Sequence, residues 1–226
     1  MTEINIPNLR SGIYIKPRES IQKSFLNELV EINKSYHKKK NFPKYKNEIR
    51  QLFQLQEPTL TNDTFLFLAG FIEGEGSINV GIQKNKNSKF KVYVDPQFSV
   101  TQHINGIVNL YLTMCYFKTG RIRYKSGSFA TFVYEIDNRE SLLNKVVPFY
   151  ENYLKKFPSS VKERRVILLK MLLDSFNRKA HCNIDTMISI VLPLWDALRI
   201  QVGQKNQTFK DLEEAQHYVR QFKEGT

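Results

Sequence analysis

The amino-acid sequence predicts an α+β fold: one twisted antiparallel sheet with helices packed on one face. Three observations predict it. Apolar residues recur at helical spacing through the lead segment, the period switches to two directly after Gly76, and beyond Asp137 the pattern returns to helical. The chain has 226 residues, is 41% hydrophobic and carries 16 Phe and 11 Tyr, enough to bury a core and too apolar for a disordered chain.

Taken in order, residues 1–60 form a basic helical N-terminal extension. From Ser20 to Tyr36, residues Ile21, Phe25, Leu26, Leu29, Val30 and Ile32 make one amphipathic helix. A second short helix runs from Lys44 to Leu55 with Ile49, Leu52 and Phe53 on its apolar side. The stretch between them, Lys34 to Lys46, sets Lys38, Lys39 and Lys40 among Tyr36, Phe42 and Tyr45. It suits a grip on a nucleic-acid backbone and equally a solvated turn.

The remainder, 61–226, opens on Thr61, Asn62 and Asp63, capping side chains for a helix that starts near Thr64. That helix is apolar nearly all round through Ile72, so it is expected to be buried on most sides, and it ends in Glu73-Gly74-Glu75-Gly76. Ile78, Val80 and Ile82 then alternate with polar residues as a half-buried strand, and a polar tip at Lys84 to Lys89 leads into a second. In that second strand Val92, Val94, Phe98 and Val100 face one way, and Pro96 suggests a bulge or an edge position. A helix over Gly106 to Phe117 precedes strands at Gly120 to Tyr124 and Ala130 to Ile136, joined by a Lys125 to Ser128 turn. Helices are expected at Arg139 to Phe157, Val161 to Phe176, Ile184 to Val202 and Leu212 to Lys223.

The outward side of the strands would present Ser77, Asn79, Gln83, Lys91, Tyr93, Gln97, Ser99, Arg121, Arg123 and Lys125. Amide, hydroxyl and guanidinium groups repeated along extended strands suit hydrogen bonding to base edges in a major groove, although a polar outer face is also ordinary for an antiparallel sheet. The net charge of +12 and the pI near 9.6 favour a polyanionic partner, nucleic acid first. Cys115 and Cys182 lack the spacing of a disulfide framework or a zinc site and are expected to be buried, reduced thiols. No apolar stretch reaches the ~20 residues of a membrane span, and Met1 to Arg10 has no signal-peptide core. The expectation is a soluble, intracellular protein with no membrane partner. A composition heavy in Lys, Asn, Ile, Phe and Tyr suggests an organelle, chloroplast or mitochondrion.

The segment Leu68-Ala69-Gly70-Phe71-Ile72-Glu73-Gly74-Glu75-Gly76 resembles the LAGLIDADG motif, with Phe71 at the fourth-position Leu, Gly74 for Ala, and Glu73 and Glu75 for the two aspartates. The strand that follows at once, and the Phe98-Ser99-Val100-Thr101-Gln102 segment, are similar to the same family. The chain is identified as a member of the single-motif LAGLIDADG homing endonucleases of organellar introns in large-subunit ribosomal RNA genes, including those of green-algal chloroplasts. Gly70 and Gly74, four apart, lie on one helical face where a second helix can approach closely.

The resemblance implies a sheet shaped as a DNA-binding saddle and a homodimer joined through the motif helix at Leu68, Gly70, Phe71, Glu73 and Gly74. It implies a metal-dependent double-strand break in a long pseudo-palindromic duplex DNA target, with Mg²⁺ as cofactor and Mn²⁺ able to substitute. By the same resemblance Glu75 is the direct metal ligand, with the Gly74 carbonyl a second contact, and Glu73 serves the helix end. Gln102 matches a glutamine that positions water. Lys162, or Arg164, and Arg123 are the basic residues expected beside the scissile phosphate. Two glutamates where aspartate is usual depart from the pattern and bear on metal preference. The alternatives are an intron-RNA-binding maturase and a non-cleaving DNA-binding regulator on the same scaffold. Gly12-Ile13-Tyr14 matches the first half of a GIY-YIG signature whose second half is missing, and His37, His103, His181 and His217 have no zinc-ligand spacing.

Overall fold

Two helices from the lead segment begin the fold, α1 (Lys23–Lys39) and α2 (Phe42–Leu52). Asn41 starts α2 by accepting from the Lys44 N–H at 3.1 Å, and Pro43 sits in its first turn, where a missing N–H costs nothing. The rings of Phe25, Phe53 and Phe132 meet edge to face at 5.1 to 6.4 Å, tying the lead helices to the sheet. The computed structural model describes residues 13–16, 19–154, 159–199 and 208–222. Gly12 of the Gly12-Ile13-Tyr14 triplet, the Met1 to Arg10 stretch, and the helix ends expected at Phe157, Val202 and Lys223 lie outside them.

After α3 (Asn62–Glu75) come β1 (Gly76–Lys84), β2 (Val92–His103), α4 (Ile107–Phe117), β3 (Arg121–Tyr124) and β4 (Thr131–Ile136). They form a four-stranded antiparallel sheet in the order β1-β2-β4-β3. The Asn85 N–H bonds to the Lys91 carbonyl at 2.8 Å, which closes the β1–β2 hairpin. β3 and β4 pair with Arg121 opposite Glu135 and Arg123 opposite Val133. Pro96 lies in an inner strand, which removes the edge position as its explanation.

The chain packs as two compact units. One joins the residues up to Gly76 with Ser99–Ile136; the other joins Ser77–Phe98 with the residues from Asp137 on. The lead helices therefore belong to the first unit, where Tyr45, Ile49, Phe53, Ile72, Leu110 and Phe132 are buried together in the core. Helices α1 and α4 end at Lys40 (φ 52°) and Lys118 (φ 49°), left-handed positions where glycine is usual; their N–H groups bond back to Tyr36 and Met114.

The second unit adds α5 (139–154), α6 (Ser160–Asn177), α7 (184–199) and α8 (Leu212–Arg220) around buried Leu142, Phe149, Leu169, Trp195 and Val219. Its two internal prolines, Pro148 and Pro193, do not break their helices. Wide π turns at Leu142–Val146 and Met187–Val191 stand just before them and include residues 144 and 189, whose carbonyls a proline ring would otherwise strike. Of the two free cysteines, Cys115 is buried and Cys182 is exposed, which corrects the expectation for the second.

Candidate active site and nucleic-acid interface

Thr61 opens α3 with a capping box: its hydroxyl accepts from the Thr64 N–H at 3.4 Å while the Thr64 hydroxyl accepts from the Thr61 N–H at 3.1 Å. One side of the helix, Leu68, Ala69 and Ile72, packs into its own unit. The other side is bare. Leu66 is 68% and Phe67 49% exposed, Phe67 stacks on Phe71 at 6.0 Å, and no atom lies within 4 Å of a Cβ built on Gly70 or Gly74. The expectation that α3 is buried on most sides is corrected: one stripe of an apolar helix stands open. Leu68 is corrected with it, because at 0% exposure its side chain belongs to the chain's own core and leaves no surface for a second chain. Gly70 and Gly74 are exposed on the open side, and Phe71 and Glu73 are half-buried.

The helix passes into β1 without a loop. A Cβ at Gly76 would stand 2.5 Å from the Ile72 carbonyl oxygen, so only glycine lets the strand leave the last helical turn this tightly. The result puts Glu75 at the carboxyl end of α3 with an exposed side chain. Gln102 lies near the end of β2, the strand next to β1 in the sheet. The Gln102 amide folds against the turn that follows, where a Cβ at Gly106 would be 2.7 Å from Oε1; Gly106 leaves that room.

Along the outward face, Ser77, Asn79 and Gln97 are half-buried, and Gln83 and Lys125 are exposed. Three residues depart from the expected presentation. Ser99 is 8% exposed, so the alternation fails there and Phe98, Ser99 and Val100 are all buried. The Lys91 ammonium turns back to the Lys86 carbonyl at 2.9 Å, inside the hairpin tip. The Tyr93 ring carries the Arg139 guanidinium 5.5 Å from its centroid.

Arg121 and Arg123 share one acid that the sequence reading did not single out. Arg121 donates to Glu135 Oε1 at 2.8 Å, and Arg123 donates to Oε2 of the same carboxylate. The signal was available: Thr131, Val133 and Glu135 alternate with Phe132, Tyr134 and Ile136, which puts Glu135 on the arginine face.

Lys162 sits half-buried in the first turn of α6, in the other unit from Glu75, Gln102 and Arg123, and Arg164 is exposed. The residue of the next turn that reaches inward is Arg165, which sequence reasoning missed. It donates to the Ile78 carbonyl from Nε at 2.9 Å and Nη2 at 2.5 Å, and to the Leu198 carbonyl at 2.6 Å. Burial lowers its pKa, yet a guanidinium stays charged, and the last turn of α7 is a favourable place for a cation.

Among the described residues no group of three or more His, Cys, Asp or Glu forms a closed metal cage. Glu75 and the Gly74 carbonyl, both exposed at a helix end, are hard oxygen donors, the type that suits Mg²⁺ or Ca²⁺ when water and substrate phosphate complete the shell. The donor set therefore fits one half of a shared site. No helix among the described residues is long and apolar enough to cross a membrane.

A family model described as LAGLIDADG endonuclease matches residues 68–172. The chain is 49% identical over 215 residues to the DNA endonuclease I-CeuI of Chlamydomonas moewusii, covering 95% of this chain and 99% of that protein. The solved structure of the group I intron-encoded homing endonuclease I-CeuI complexed with DNA is similar over 92% of this chain and 100% of that one, with a TM-score of 0.87. The archaeal intron-encoded homing endonuclease I-Vdi141I complexed with DNA is similar at 25% identity, covering 71% of this chain and 97% of that one, with a TM-score of 0.62. Endonucleases of this kind depend on a divalent metal. On the motif, the helix-to-strand geometry and these likenesses, the chain belongs to the LAGLIDADG endonuclease family.

Proposed function

We propose that this protein is a site-specific homing endonuclease that cuts both strands of a long, pseudo-palindromic duplex, an intronless large-subunit ribosomal RNA gene, as a homodimer in a chloroplast or mitochondrion. The observation that carries the reading is the bare stripe of α3 around Gly70 and Gly74, which ends on an exposed carboxylate at Glu75. A second copy laid on that stripe seats backbone against backbone and brings two Glu75 side chains side by side, one for each strand. The organelle is supported by the composition and by a relative from a green alga.

Glu75, with the Gly74 carbonyl, would hold Mg²⁺, for which Mn²⁺ substitutes. When bound, the cation lowers the pKa of water and neutralises charge at the phosphate. Gln102, folded against Gly106, orients a water by its side-chain amide. Arg123 faces the charge that builds on the phosphate as a fixed cation, with Lys162 as the second basic candidate. The outward strands, with Asn79, Gln83, Gln97 and Arg121, lie along the duplex and read it.

The test is cleavage of intronless large-subunit rRNA gene DNA with Mg²⁺, against EDTA and against Glu75→Gln. The expected result is a double-strand cut at one site, abolished by EDTA and lowered in Glu75→Gln by at least ~10³-fold with binding kept, the scale of removing an essential catalytic group. Binding without cutting in Mg²⁺ or Mn²⁺ overturns the nuclease reading, and preference for intron RNA or for duplex DNA then separates a maturase from a regulator.

A further inference from the structure

Glu135 pairs with both arginines of β3, and the reaction gives it no role. It is 2% exposed, whereas the Arg121 and Arg123 side chains remain 33% and 45% exposed. Arg121 is its register partner. Arg123 is not: it lies opposite Val133 and reaches Glu135 diagonally across the strand. Strand alternation places all three on one face, with Ile122, Tyr134 and Ile136 on the other.

One carboxylate offsets at most one of two guanidinium charges. The arginines are anchored on Glu135 and keep part of each side chain at the surface. A long cation fixed before binding loses less side-chain entropy on contact, and a cancelled charge weakens attraction to any phosphate backbone regardless of sequence. Both effects favour specific over non-specific binding.

We propose that Glu135 is a positioning residue of the nucleic-acid surface: it presets the pose of Arg121 and Arg123 and removes one of their two charges, so that this part of the sheet selects duplex by geometry more than by charge. The inference rests on the reading of this face as the DNA surface.

The test measures binding against salt concentration for the parent protein and Glu135→Gln, using a random-sequence duplex and the intronless rRNA gene duplex as probes. Glutamine is near-isosteric and keeps an acceptor, so the change is chiefly one of charge. The slope of log affinity against log salt on the random duplex is expected to steepen by about one, the contribution of one further phosphate contact. The preference for the gene duplex is expected to fall roughly tenfold, the discrimination supplied by one well-held bidentate base contact. A role in folding alone would weaken both probes without steepening the slope, and thermal unfolding reports it separately. The double variant Glu135→Gln/Arg121→Gln restores the parent net charge; it is expected to recover the parent slope while preference stays low, and it serves if the single variant unfolds. Parent-like slope and preference in Glu135→Gln, or parent-like preference in the double variant, overturn the inference while leaving the DNA surface standing. If the parent binds neither duplex, the surface reading falls and the inference with it.

Discussion

The two edge strands of the sheet are sealed by different chemistry. On β3 the backbone of Ile122 is met on both polar groups by neutral side chains from the lead helices: its N–H donates to the Tyr45 hydroxyl at 2.8 Å, and its carbonyl accepts from Asn33 Nδ2 at 3.0 Å. Tyr45 also donates to Asn33 Oδ1 at 3.0 Å, and its ring stacks on Tyr36 at 4.2 Å, so the seal is a small closed network. Burial pushes the Tyr45 phenol far above its ordinary range, which keeps it a neutral donor and acceptor at any working pH. On β1 the carbonyls of Ile78 and Ile82 are capped from the C-terminal part, by the Arg165 guanidinium and by the Thr208 hydroxyl at 2.8 Å. One edge is closed by paired neutral groups and the other by a cation and a lone hydroxyl. An uncovered edge is a template for unwanted pairing, and this chain covers each with segments from opposite ends of its sequence.

The contrast predicts an order of effects. Arg165→Met should be the most damaging, by about 3 kcal/mol in urea unfolding, because it strips both the Ile78 and Leu198 carbonyls of a charged donor. A loss below that of the β3 seal would mean that water replaces the guanidinium without penalty. Tyr45→Phe comes next, at about 2 kcal/mol: it keeps the ring stack and leaves a buried Ile122 N–H without its acceptor. Amide exchange at Ile122 should quicken with it, and unchanged exchange would show that the hydroxyl does not hold the edge. Thr208→Val, at an exposed position, should cost about 0.5–1 kcal/mol, and an effect as large as that of Tyr45→Phe would erase the distinction between network and single bond.

Much of this was legible in sequence because periodicity reports which side of an element meets the core. The caps of α3, the hairpin after Gly76, α4 and the β3–β4 pair all fall within a few residues of where pattern places them. The motif marked the end of α3, since a helix that meets a strand at Gly76 has to deliver Glu75 to its tip. What pattern does not report is the reach of long side chains. Arg164 and Arg165 are chemically alike in sequence, and only the packing of α6 turns the second one inward to carbonyls 87 and 33 residues away. Leu68 fails for a related reason: a helix apolar all round shows no preferred side, so which leucine enters the core and which stays bare is settled by tertiary contacts. Ser99 is buried where the alternation of β2 fails, between buried Phe98 and Val100, a local break that two-residue periodicity does not report.

The left-handed lysines that end α1 and α4 have a consequence for protein engineering. A side chain at such a position costs on the order of 1 kcal/mol that glycine would avoid. Lys40 and Lys118 therefore mark two places where thermal tolerance and affinity for a polyanion pull apart: glycine would firm the helix ends, and each exchange would take one unit from a net charge of +12. A heat-hardened variant built there would part from its nucleic acid at lower ionic strength than its parent.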